Sequence, residues 1–74
     1  MLYLVVMKAN LTEKQLRVIE LISRGMGTKD IAVQLGNTKR TIDGIRHEIL
    51  RRTRVNNTAE LMILAVKQGW IKIK

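Results

Sequence analysis

Four stretches of this chain share one pattern. Apolar residues recur three or four places apart, all four stretches open on a Thr or Asn, and three close on Gly. That is the period of a helix with one face in a core, bounded by start and stop chemistry. In "LTEKQLRVIELISRG", Thr12 is a natural N-cap and Gln15 completes a capping box, while Leu11 and Leu16 are placed as a hydrophobic staple. Leu16, Ile19, Ile22 and Ser23 line one side, widened by Val18 and Leu21, and Gly25 suits the left-handed residue after a helix. A first helix is predicted over 12–24. The second spans 28–35 on the stripe Ile31, Ala32 and Leu35, and stops at Gly36. The third is capped by Thr38 and runs to about Arg52. The fourth is opened by a capping box of Asn57 with Glu60 and runs to Gln68, before Gly69. The ends, "LYLVVM" and "WIKIK", read as extended segments that either pair as a small sheet or remain tails. The fold expected is all-α: four helices with short extended termini, residues 1–10 forming the first such segment and 11–74 the domain.

The third helix carries the chemistry. At about 100° per residue, Ile42, Ile45, Ile49 and Thr53 fall in a sector of about 80°, the core seam. Arg40, Asp43, Gly44, His47, Arg51 and Arg54 fall in a roughly opposite sector of about 100°. Lys39 and Arg46 lie nearer the seam's edge. A charged outer face is ordinarily only a solvated face. Here it is largely of one sign, and it sits on the second of two helices joined by a tight turn, the geometry that projects a helix into a major groove. Thr38, Lys39, Arg40 and Thr41 open that helix, so its positive end and free N–H groups suit a phosphate. Gly44 in mid-helix costs roughly 1 kcal/mol relative to alanine. It is either tolerated or lets the backbone approach a base edge. His47 is either solvated or a base or phosphate contact. Met26 and Met62 occupy helical core positions.

Composition narrows the partner. Fourteen Lys and Arg against six Asp and Glu leave a net charge of +8 on 74 residues, which points to a polyanion: nucleic acid first, an acidic membrane or protein second. One Trp and one Tyr, with no Phe, fit poorly with modules that stack single-stranded bases on aromatic rows. The charges do not oppose one continuous apolar face, as a membrane-surface helix needs. No cysteine, one histidine and scattered carboxylates give no metal cage, and no cofactor is expected. Neither a nucleophile–base pair nor a phosphate loop appears, so an enzyme is not expected. Residues 1–7 are too short to span a bilayer and lack the flanks of a signal peptide, so a cytoplasmic protein is expected; Met7 is an alternative start.

Four pieces in order, "LTEKQLRVIELISRGMGTKDIAVQL", "TKRTI", "RRTRV" and "AELMILAVKQGWI", resemble the LuxR-type helix-turn-helix domain, also called GerE-like, over about 11–71. The resemblance implies four helices, a DNA-reading unit over about 28–52 and a dimerisation helix over about 58–68. It implies base-edge contacts at Asp43, Gly44 and His47, and phosphate contacts at Lys29, Thr38, Thr41, Arg51 and Arg52. Lys39, Arg40, Arg46 and Arg54 complete the basic set. Helix four is apolar on more than one face, and the contacts expected in a symmetric dimer are Leu61, Leu64, Ala65 and Gln68. The chain departs from the family where Lys or Arg is usual at Asp43, His at Ile45, Ile at Asn37 and Leu-Gly at Thr53-Arg54. A carboxylate at Asp43 accepts only from cytosine or adenine amino groups. No receiver or ligand-binding domain fits into ten residues, so a stand-alone reader of double-stranded DNA is expected, a homodimeric transcription regulator. The alternative is a drifted helix-turn-helix module that binds another protein, such as RNA polymerase or a partner regulator.

Overall fold

The structure, a computed structural model, describes residues 11–71. It contains four helices: α1 (Glu13–Ser23), α2 (Thr28–Leu35), α3 (Lys39–Thr53) and α4 (Thr58–Gln68). The expected extended segment at 1–10 and the last three residues lie outside the described residues. Of the expected carboxy-terminal extended run, Trp70 and Ile71 are described; they form a bend after Gly69, and Ile71 turns into the core.

The start signals act as the sequence implies. Thr12 Oγ1 accepts from Gln15 N–H at 3.1 Å, and Gln15 Oε1 accepts from Thr12 N–H at 2.8 Å, a reciprocal capping box. Thr38 caps α3 by accepting from Thr41 N–H at 3.1 Å. At α4 the reciprocity is shifted by one residue. Asn57 Oδ1 accepts from Glu60 N–H at 2.9 Å, but the Glu60 carboxylate reaches Asn56 N–H rather than that of Asn57, also at 2.9 Å.

Three helices end alike. Gly25, Gly36 and Gly69 adopt positive φ, and the amide beyond each reaches back five residues: Met26 to Leu21, Asn37 to Ala32 and Trp70 to Ala65. This Schellman closure satisfies carbonyls that a helix end would otherwise leave bare. Helix α3 ends instead on Arg54, at φ 61°, the one positive-φ residue other than glycine among the described residues.

Helices α1 and α3 each pack against all three others. Val18, Ile19 and Leu21 meet Ile31 and Ala32, Ile42 and Ile49, and Leu61 and Ala65; Ile71 closes the bottom. Met26 and Met62 pack against this cluster, as expected of them. Thr53 is buried at the end of the α3 seam, where its hydroxyl donates to Ile49 O at 2.7 Å. That bond removes the cost of burying a lone hydroxyl, so threonine serves where an apolar residue would otherwise sit.

Candidate nucleic-acid interface

Burying Ile42, Ile49 and Thr53 fixes the rotation of α3. The opposite strip, Arg40, Asp43, Gly44, His47, Arg51 and Arg54, is therefore exposed, as the helical wheel requires. Lys29 at the start of α2 is exposed, as are Thr38, Lys39 and Thr41 at the start of α3. Between 39 and 54 the chain has six cations and two carboxylates, half of the net +8.

The two carboxylates are not scattered. Asp43 accepts from Lys39 Nζ at 3.4 Å, a loose exposed pair one turn apart. Glu48 takes two arginines: Arg51 donates Nε at 3.1 Å and Nη2 at 2.6 Å, and Arg52 donates Nε at 2.9 Å. The hydrogen bonds from Arg51 and then Arg52 hold the Glu48 carboxyl down at about 2, so it is ionised throughout the neutral range. Among the described residues no carboxylate pairs with Lys29, Arg40 or Arg54. Thr38 and Thr41 share a hydroxyl hydrogen bond of 3.0 Å, which orders the first turn of α3. An ideal Cβ built on Gly44 meets nothing within 4 Å, so packing does not require glycine there.

Arg46 lies at the seam's edge, as the wheel places it. It is half-buried, and its guanidinium spans to Thr28 Oγ1 at 3.4 Å and Thr58 Oγ1 at 3.1 Å, tying α3 to the first residues of α2 and α4. Its head is thus engaged inside the fold, not presented on the outward strip. The seam-edge position was readable from the wheel; the direction of the head was not.

The expected partner face of α4 also needs correction. Leu61 and Ala65 are buried in the core, 1% and 0% exposed, so they pack within this chain. Leu64 and Gln68 are half-buried, and Gln68 has its Oε1 enclosed. The apolar residues that α4 turns outward are Ile63, 58% exposed, and Val66, 41% exposed, one and two turns from Ala59. Sequence reasoning also missed the Glu48 cluster, although the spacings to 51 and 52 are those of facing positions on a helix.

The described residues hold no group of His, Cys, Asp and Glu placed to bind a metal, and no helix long and apolar enough to cross a membrane. Comparison with known proteins agrees with the fold. The pattern for bacterial regulatory proteins of the luxR family, GerE, matches residues 9–65. The transcriptional regulatory protein DesR of Bacillus subtilis is 32% identical over 62 residues, 84% of this chain and 31% of that protein. YdfI, a transcriptional regulatory protein of the same organism, is 30% identical over 66 residues, 89% of this chain and 31% of that protein. The response regulator UvrY of Escherichia coli is 26% identical over 61 residues, 82% of this chain and 28% of that protein. The chain thus spans about three-tenths of the length of the curated relatives it matches. No solved structure matches it. With four helices in the expected order and a family match over most of its length, the chain belongs to the luxR family of bacterial regulatory proteins.

Proposed function

We propose that this chain reads double-stranded DNA as a homodimer, with α3 in the major groove, and so directs transcription from a sequence-specific site. Membership of the family makes it a DNA-binding domain of transcription regulation; the mode of binding is our reading. The observation that carries it is the outward strip of α3, where Arg40, Arg51 and Arg54 stand opposite the buried seam of Ile42, Ile49 and Thr53. Lys29, Thr38 and Thr41 would grip phosphates at the helix starts, where backbone N–H groups and the helix dipole favour an anion. Asp43 and His47, flanking the open Gly44, would meet base edges, and Asp43 would accept from a cytosine or adenine amino group. The dimer would form through the outward side of α4, on Ala59, Ile63 and Val66, placing two α3 helices on successive half-sites.

A gel-shift series with duplexes of about 30 base pairs and a randomised centre tests this reading, because 6–10 phosphate contacts make log affinity fall with log salt at a slope of roughly −5 to −9. Recovery of an imperfect palindrome from the bound pool is the expected outcome. A chain that retains no duplex at low salt, yet still captures RNA polymerase after Arg40, Arg51 and Arg54 are changed to Ala, would overturn it in favour of a protein-binding module.

A further inference from the structure

Glu48 lies on the flank of α3, about 60° around the helix from Arg51 and about 40° from Arg52. Its two oxygens hold both arginines at once, Arg51 through two N–H groups and Arg52 through one. Both arginines are among the residues expected to meet phosphate. The bidentate pairing with Arg51 is the same fork-to-oxyanion geometry that a phosphate would offer. Arg51 stands toward the edge of the outward strip nearest Glu48, so the pairing holds its guanidinium on that flank.

We propose that Glu48 is a built-in competitor for the DNA backbone: it occupies Arg51 and Arg52 in the free chain and sets how tightly the domain binds duplex irrespective of sequence. This rests on the reading of α3 as the DNA-contacting helix. Phosphate must displace a carboxylate that stays ionised at every working pH. The arginines therefore deliver less affinity than their number implies, and every duplex bears the same deduction. Contacts to base edges are untouched by it. Since backbone contacts supply nearly all non-specific binding, the deduction falls on an affinity that would otherwise hold the domain on any DNA.

The molecule contains its own control. On α1, Glu20 accepts from Arg17 Nη1 at 2.9 Å and from Arg24 Nη2 at 2.9 Å, again one carboxylate with two exposed arginines. Helix α1 packs on the seam side of α3, away from the outward strip. Glu20→Gln and Glu48→Gln change net charge equally and are near-isosteric surface changes.

The experiment measures affinity of the full chain for one random-sequence duplex of about 20 base pairs across a salt series, for wild type, E48Q and E20Q, with thermal melts confirming that all three are folded. E48Q should bind about threefold more tightly per chain, the scale of an exposed ion pair. Its salt slope should steepen by about 0.9 for each phosphate contact released to the arginines. E20Q should match wild type in slope. Equal gains for both variants would overturn the proposal, because net charge alone would then explain them. Weaker or unchanged binding by E48Q would also overturn it, since Glu48 would then aim the arginines instead of competing for them. Either of those results leaves the DNA reading standing. Failure of the wild type to bind the duplex would remove that reading and this proposal together.

Discussion

Helices α3 and α4 bury similar seams and turn opposite chemistries outward. Behind Ile42, Ile49 and Thr53, α3 presents arginines and a histidine; behind Leu61 and Ala65, α4 presents Ile63 and Val66. The inward faces make the fold, and either helix would fold as well with a neutral polar outer face. The outward faces are free of that duty, and there the two helices differ. A strip of guanidinium groups suits a polyanion that keeps its water until contact. A pair of exposed branched aliphatics on a helix apolar on more than one face suits another apolar surface.

The largest effect comes from removing what the two faces share. Ile49 is fully buried where α3 meets the core, so Ile49→Ala should cost about 2–5 kcal/mol. Native domains have only about 5–15 kcal/mol in total, and a small one sits at the low end. Far-UV circular dichroism during heating should show a much lower midpoint, with duplex binding and self-association lost together. If either survives intact in the unfolded range, that activity does not depend on the positioned face.

Next come changes that separate the faces. Arg40→Ala with Arg54→Ala should flatten the salt slope by about 0.9 for each phosphate contact removed and leave the sedimentation coefficient unchanged. Ile63→Asp with Val66→Asp should give a monomer by sedimentation while the slope per chain stays at its wild-type value. Affinity for a two-half-site duplex should still fall, because linking two modules supplies effective concentration that a monomer lacks. Should the α4 variant alter the slope per chain without altering sedimentation, the division of labour between the helices is wrong.

What the sequence revealed follows the same division. The α3 seam was legible because a single helical period with polar residues opposite fixes which way Ile42 and Ile49 point. The caps at Thr12, Thr38 and Asn57 were legible because their partners lie three residues away. Along α4 nearly every residue from 61 to 66 is apolar, so no period remains to say which side faces in. Leu61 and Ala65 were therefore expected at a partner surface, whereas the core takes them. The partners of Arg46 are hidden for another reason: Thr28 and Thr58 lie 18 and 12 residues away, and only the packed helices bring those hydroxyls to one guanidinium. The Glu48 cluster is legible from its spacing, three and four residues before Arg51 and Arg52, but a wheel carries no rotamers to show that one carboxylate takes both arginines.

A smaller effect tests Gly44. Nothing stands where its Cβ would go, so Gly44→Ala should stabilise α3 by roughly 1 kcal/mol through helix propensity alone. The melting midpoint should rise by several degrees. If the backbone there approaches a base, affinity for the selected site should fall in the same variant, while affinity for random duplex should hold. A rise in stability with both affinities unchanged would make Gly44 a tolerated residue with no part in reading.

The smallest effect lies where the two helices end. Helix α4 closes on Gly69 at φ 76°, whereas α3 closes on Arg54 at φ 61°, and an L-residue in that region carries a cost of roughly 1 kcal/mol. Arg54→Gly relieves that cost but frees the unfolded chain, which takes back about 0.4–1 kcal/mol. The net should be a gain of no more than about 0.5 kcal/mol, read as a slightly higher midpoint in paired melts. The reciprocal Gly69→Ala should lose on both counts and melt lower. Arg54→Gly also removes an exposed cation from the strip, so its salt slope should flatten while its stability rises. Those two shifts in opposite directions would mean that the chain holds arginine at a glycine position for its charge. A lower midpoint for Arg54→Gly would mean instead that the side chain's own contacts keep the link between α3 and α4 in place.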